Sequence, residues 1–389
     1  MRVLHTSDWH LGRKLGEHAL LGEQAKFCDW LVDLVAAEGV ELVAISGDLF
    51  DRSIPPTEAI ELLNSTFLRI RDAGAVVAAI AGNHDSARRL GIAEGFTEAG
   101  GLHLRGGYSR LGAVTSVAVG EDQLQLVSIP FLDPRMAPSE VVEAVGRQES
   151  TVTHESVLQH ALAEARATLD PSRASLVLSH AFVTNARPSP SERELSVGDA
   201  AMVSADVFAG FDYVALGHLH QPQVVGGQPH LRYSGSPLPY SFSETASKSV
   251  LLAELGGRGD VAVREVPIGV GRRVCTVRGK LEDLASDRGN SVDWVRAELT
   301  DELRPTDAAR LLRANHPYLA QVDWVGGNSA PVGSPSLSQI RIRSTDELIC
   351  DFWTESCGAP PSPEVRAVVA EALAGTDDAA VDVDEGAAA

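Results

Sequence analysis

Short apolar runs that end, one after another, in a carboxylate, an amide or an imidazole constrain this 389-residue chain more than any other feature. The runs are "RVLHTS" (2–7), "ELVAISGD" (41–48), "AVVAAIAG" (75–82), "LQLVSIPF" (124–131), "ASLVLSHA" (174–181) and "DYVALGH" (212–218). Their bounded, β-branched character suits strands covered on both faces. Between them, apolar residues recur at helical spacing. One such stretch is roughly 18–37, with Leu20, Phe27, Leu31, Leu34 and Val35; a second is 57–72, opened by the prolines of "IPP". A third is 154–168, with Val157, Leu158, Ala161 and Leu162. Strands alternating with helices predict a layered α/β domain.

The polar residues stand where the runs stop. "SDWHLG" places Asp8 and His10 after the first run, and "SGDLFD" places Asp48 after the second. "GNHD" supplies Asn83, His84 and Asp85, "VLSHA" supplies His180, and "GHLH" supplies His218 and His220. Any one of these has an ordinary reading. Asp-x-His arises often by chance, and a lone His180 suits a satisfied core position. Strand ends lie side by side in an α/β sheet, however, so the set can converge on one crevice. The donors are oxygen and imidazole with no cysteine nearby, which suits two divalent cations about 3.5–4 Å apart sharing a carboxylate. Asp48 is the natural bridge. The glycines of "GD", "GN" and "GH" allow close backbone approach. His5 and His103 lack such a setting and read as structural.

A formal net charge of −20 argues against a broad nucleic-acid-binding face, so a phosphate substrate has to be held by bound metal or by a partner. Cys28, Cys275, Cys350 and Cys357 are scattered, which fits neither a disulfide framework nor a zinc knuckle. No apolar run is long enough to cross a bilayer, and the chain enters a strand-like segment without a leader, so a cytoplasmic protein is expected.

After residue 268 the segments "RVCTVRG", "KLEDLAS", "DWVRAEL", "TDAARLLRAN" and "LAQVDWV" read as strand, helix, strand, helix, strand. This predicts a small α/β unit at 269–325. A Gly/Ser/Pro-rich linker is expected at 326–343 and a helical segment at 344–375, the second helix capped by Ser362. An acidic tail at 376–389 is expected to be disordered.

"DWH", "GDLFD", "GNHD", "SH" and "GHLH", in that order, resemble the calcineurin-like metallophosphoesterases. "SERELSVGDA" (191–200), "FDYVALGHLHQPQ" (211–223) and "LRYSGSPLPYSFSE" (231–244) narrow the resemblance to bacterial nuclease subunits of break-repair complexes. The resemblance implies two facing mixed β-sheets flanked by helices at 1–268, with 269–325 as a DNA-capping domain. It places Asp8, His10, Asp48 and His220 on one manganese ion, and Asp48, Asn83, His180 and His218 on the other. His84 would face the scissile phosphate, with Asp85 accepting its second N–H. Asp51 stands where some relatives have histidine, and no role is carried onto it. "FDRSIPP" and "GNHDS" depart from the protein-phosphatase pattern. The resemblance further implies a coiled-coil ATPase partner docked through Leu348, Ile349, Phe352 and Val369. It also implies a homodimer within a heterotetramer, acting on duplex ends, hairpins and single strands. Trp9 would either touch a nucleobase or pack beneath its loop.

Overall fold

The six expected strands form, with six others that periodicity does not mark, two six-stranded sheets. In chain order they begin β1 (Arg2–Thr6), β2 (Leu42–Ile45), β3 (Val76–Ile80), β4 (Leu102–Arg105), β5 (Val114–Val119) and β6 (Asp122–Ile129). They continue β7 (Ser175–His180), β8 (Tyr213–Gly217), β9 (Gln223–Val225), β10 (Gln228–Tyr233), β11 (Ser249–Leu255) and β12 (Val261–Pro267). The computed structural model describes residues 1–146, 151–184, 186–188, 192, 202–287, 292–326, 345–357 and 360–374. Most of 191–200, the linker from 327 to 343 and the tail at 376–389 therefore lie outside the described residues.

The first sheet runs β12-β11-β1-β2-β3-β4, with β1 to β4 parallel and β11 and β12 antiparallel. The second runs β9-β10-β8-β7-β6-β5, parallel in its four central strands and antiparallel at both edges. Both are mixed sheets. Val3, Leu42, Ala44, Ala78 and Ile80 of the first meet Leu124, Leu126, Leu176, Leu178 and Ala215 of the second in one buried layer. The alternate residues Leu4, Val43, Ile45 and Val77 pack instead with α1 (Leu21–Glu38) and α2 (Thr57–Asp72), through Phe27, Leu31, Leu63 and Ile70. On the other side Val127, Ile129, Val177 and Val214 pack with α3 (His154–Thr168), through Val157, Leu158, Ala161 and Leu162. Every second residue has a different apolar neighbour, which is why these strands read as unbroken apolar runs.

Local chemistry sets the element ends. The first helix starts at Leu21, because His18–Ala19 pairs with Lys14–Leu15 in a short hairpin. α3 starts at a reciprocal cap in which the Thr153 and Ser156 side chains satisfy each other's backbone amides. The strands that periodicity misses are short or lie at edges; β12 exposes Ala262, Arg264 and Glu265, so its apolar signal is diluted.

Strands β13 (Val274–Gly279), β14 (Trp294–Leu299) and β15 (Leu319–Trp324) form a parallel three-stranded sheet in chain order. Helices α4 (Leu281–Ser286) and α5 (Ala308–Leu312) cross between them, around a core of Leu284, Val295, Ala297, Leu299 and Leu312. A second cluster, Leu15, Leu20, Leu238 and Tyr240 with Val274 and Trp294, joins this sheet to the larger body. Gly16 lies so close that a Cβ there would stand 2.2 Å from the Ala320 carbonyl oxygen.

The chain divides into two compact units, Met1–Gly326 and Gly327–Ala389. In the second, α6 (Thr345–Cys357) and α7 (Pro363–Ala374) pack together, and Ser362 Oγ accepts the Val365 amide at the start of α7. Ile349 and Val369 are half-buried, while Trp353 and Val368 are exposed. The side chains of Leu348 and Phe352 lie outside the described residues. Among the described residues no helix is long and apolar enough to cross a membrane.

Candidate dinuclear metal centre

Where the strands end, the backbone turns sharply. Asp8, His10, Asp48 and His218 have φ of 54°, 45°, 50° and 110°, a region that residues with a Cβ rarely occupy. Among the described residues only Arg110 and Asp307 join them outside glycine, so this strain concentrates at the candidate ligands. The conformations are held by cross-loop bonds: Asp8 N donates to Gly47 O at 3.0 Å and His10 N to Asp48 O at 2.9 Å. His218 N reaches the Asp8 carboxylate at 3.1 Å and ties the second sheet to the first. A Cβ on Gly82 would lie 2.1 Å from Asp48 Oδ1, so the "GN" glycine makes room for a ligand.

The side chains then converge from both sheets. Three groups each bring their donor atoms within 4.8 Å of one another: Asp8, His10 and His220; Asp8, Asp48 and His180; and His10, Asp48 and His84. His10 Nε2 faces His220 Nε2 at 3.2 Å, and Asp48 Oδ2 stands 3.6 Å from both His10 Nε2 and His180 Nε2. The His218 ring packs edge-on against His180, with centroids 5.4 Å apart. His180 Nδ1 is bonded to the Ser46 carbonyl at 2.9 Å, which can only accept. Its Nε2 therefore carries a lone pair, and that lone pair points at Asn83 Oδ1, 2.9 Å away. A cation held by both would satisfy this pair of acceptors. The donor set fits divalent metal, and metal binding is a property of this site.

Electrostatics agrees. Burial pushes the Asp8 carboxyl up to about 6 and Asp48 up to about 7. Burial likewise holds His10 and His218 well below the usual histidine range and lowers His180, so these rings are neutral donors. Among the described residues neither Asp8 nor Asp48 pairs with a lysine or arginine. Arg13 and Lys248 act on these carboxylates only without direct pairing, so burying the two remains costly, and a metal cation removes that cost.

His84 stands half-buried at the edge of the cluster, its ring T-stacked on His10 at 4.7 Å. Its amide donates to Asp48 Oδ1 at 2.9 Å. The expectation that Asp85 accepts its second ring N–H is corrected here. His84 Nδ1 is bonded to the Asp51 carbonyl at 2.8 Å, whereas the Asp85 carboxylate accepts the amides of Leu49, Phe50 and Gly82. Asp85 thus clamps the Asp48 and Asn83 loops together, and burial raises its carboxyl to about 6. Trp9 is fully buried against Phe27 and Phe67, so it packs beneath its loop and touches no base. His5 is buried between Tyr213 Oη and the Leu216 carbonyl, as a structural histidine should be.

The structure adds residues that no strand-end pattern marks. Ser7 Oγ donates to Asp8, and Gln24 Nε2 holds the carbonyls of Trp9 and His10 at 3.0 and 2.8 Å. Arg13 pairs with Asp51 at 3.2 Å and lies over the Tyr240 ring. Glu244 and Lys248 form a buried pair behind His220. Burial pushes the Glu244 carboxyl up, but His220 and Lys248 outweigh it and hold the group at about 2. The signal for this pair lay within "YSFSETASK", where buried charges look like an ordinary polar loop.

The model of the calcineurin-like phosphoesterase family matches residues 1–222. The SbcD subunit of the SbcCD nuclease of Bacillus subtilis is 32% identical over 329 residues, covering 82% of this chain and 84% of the relative. Its counterpart from Staphylococcus epidermidis is 28% identical over 361 residues, covering 91% and 92%. That of Escherichia coli K12 is 27% identical over 326 residues, covering 81% and 82%.

Proposed function

The chain belongs to the calcineurin-like phosphoesterases and, within them, to the SbcD nuclease subunits; on that footing we propose that it hydrolyses DNA phosphodiesters at a centre of two manganese ions. The observation that carries this reading is the set of donor atoms from both sheets arranged around the single carboxylate of Asp48. Asp8, His10, Asp48 and His220 would hold one ion; Asp48, Asn83, His180 and His218 would hold the other. When bound, such a pair of cations polarises the phosphodiester and makes water a nucleophile at neutral pH.

The chain's own residues do the rest. Neutral imidazoles leave the centre with net positive charge, which attracts a phosphate that the −20 chain would otherwise repel. His84, anchored through Nδ1–H to the Asp51 carbonyl, would act as an imidazolium, having taken a proton on Nε2 from solvent and giving it to the departing oxygen. Asp85 keeps the Asp48 and Asn83 loops in register for that arrangement.

As the nuclease subunit of an SbcCD-type complex, the chain works with an SbcC-like coiled-coil ATPase in repair, recombination and replication, in the cytoplasm and as a homodimer within a heterotetramer. Residues 269–325 cap the DNA. The α6–α7 pair, with Leu348, Ile349, Phe352 and Val369, docks on the ATPase; the exposed Trp353 and Val368 support a surface made to be covered.

The test is cleavage by the purified chain with Mn2+, alone and with the ATPase. The substrates are linear duplex, hairpin DNA, single strands and a chromogenic phosphate monoester. Mn2+-dependent DNA cleavage, increased on duplex ends by the ATPase, is expected. Turnover of the monoester with no cleavage of DNA would overturn the nuclease assignment.

A further inference from the structure

His220 is gripped at every polar atom apart from the one that faces His10. Its amide donates to Glu192 Oε1 at 2.7 Å, its carbonyl accepts Lys248 Nζ at 3.0 Å, and its ring Nδ1 faces Glu244 Oε1 at 3.5 Å. Nε2 is left opposite His10 Nε2, at 3.2 Å. Glu244 and Lys248 are both less than a tenth exposed, pair directly with each other, and share Ser236 Oγ. A carboxylate can only accept, so beside Nδ1 it selects the tautomer with hydrogen on Nδ1 and a lone pair on Nε2.

We propose that Glu244 is a positioning residue: with Lys248 balancing its charge, it holds His220 as an Nε2 donor and so sets the affinity of the ion shared by Asp8, His10 and His220. This rests on the dinuclear reading above. Lys248 has two tasks in the arrangement. It keeps the carboxylate from adding net negative charge beside Asp8, and through the His220 carbonyl it fixes the backbone from which the ring projects. The ion at His180 has a different anchor, the Ser46 carbonyl on Nδ1, so it does not depend on Glu244. Groups behind a ligating histidine commonly change metal affinity by about 10–100-fold.

The experiment titrates Mn2+ into the metal-free full-length chain by calorimetry. It also reads the His220 tautomer from 15N chemical shifts without metal. Wild type is expected to take up two ions and to carry hydrogen on His220 Nδ1. Glu244→Gln is expected to bind one ion as before and the other about 10–100-fold more weakly. Because Glu244→Gln strands a buried ammonium, Glu244→Gln/Lys248→Met is measured in parallel. The double variant should melt near wild type and still show the selective loss. Both affinities within threefold of wild type in Glu244→Gln, or recovery of both in the double variant, would overturn the proposal. A wild type that binds no Mn2+ would instead overturn the dinuclear reading. Even then the 15N shifts decide the Glu244 assignment, because hydrogen on His220 Nε2 in wild type refutes it.

Discussion

Replacing Asp48 with asparagine should strengthen the metal-free fold while destroying the site. In the folded chain burial raises the Asp48 carboxyl from 3.8 to about 7. The sign follows from linkage. A carboxyl raised by folding gives full stability below 3.8, and that stability is lost as pH rises through about 7. At pH 8 the whole cost is present, about 4 kcal/mol at about 1.36 kcal/mol per pH unit. Asparagine removes it and fits the same space. Its oxygen can keep the His84 amide, now 2.9 Å from Oδ1. Its amide nitrogen replaces Oδ2, 3.6 Å from His180 Nε2, and so faces the His180 lone pair. For a unit of this size, about 1–2 °C per kcal/mol gives a rise of about 4–8 °C in melting temperature at pH 8 in EDTA. At pH 5 less than half of that gain should remain. Mn2+ should raise the melting temperature of wild type and leave Asp48→Asn where it was. Calorimetric melts at both pH values, with EDTA and with Mn2+, make the check. If metal-free Asp48→Asn melts below wild type at pH 8, the carboxylate is holding the fold together and the argument from buried charge fails.

Other outcomes follow from the same geometry. His84→Gln should keep Mn2+ affinity within about threefold while turnover on DNA falls about 10²–10⁴-fold, measured under single-turnover conditions. Mn2+ affinity should fall about 100-fold between pH 8 and pH 5.5, because Asp48 and Asp8, near 7 and 6 without metal, must lose their protons to bind; pH-dependent calorimetry reads this. Gly82→Ala should weaken Mn2+ about tenfold or more although Gly82 offers no donor, since the new methyl collides with Asp48 Oδ1. A chain ending near residue 335 should lose ATPase binding in a pull-down yet retain Mn2+-dependent cleavage of single strands.

The donors were legible in the sequence because each follows an apolar run, and a run buried on two faces has to stop where a polar group is wanted. Val3 and Leu4 face different layers, so that stretch admits no polar alternation and Asp8 stands out. Orientation was not legible. His84 and Asp85 are neighbours in sequence, yet one ring meets the Asp51 carbonyl while the adjacent carboxylate turns to three amides. Edge strands such as β12 were hidden by their exposed charges, and Glu244 by lying in a polar loop ahead of β11 rather than where an apolar run stops. A buried carboxylate is recognisable only once its partners are known, and here Lys248 lies four residues on while His220 arrives from a separate segment.

The division of the ligands between the two sheets has a consequence for how such a chain is made. Asp8, Asp48 and Asn83 leave the ribosome early, while His218 and His220 emerge only after the whole of the first parallel strand set. Until the later imidazoles arrive and the halves dock, the nascent polypeptide holds only the donors of the first half, His10, Asp48 and His84 among them, and lacks His180, His218 and His220. The proposed dinuclear centre would thereby stay incomplete until His220 has been made, and any lesion that parts the halves would open it again.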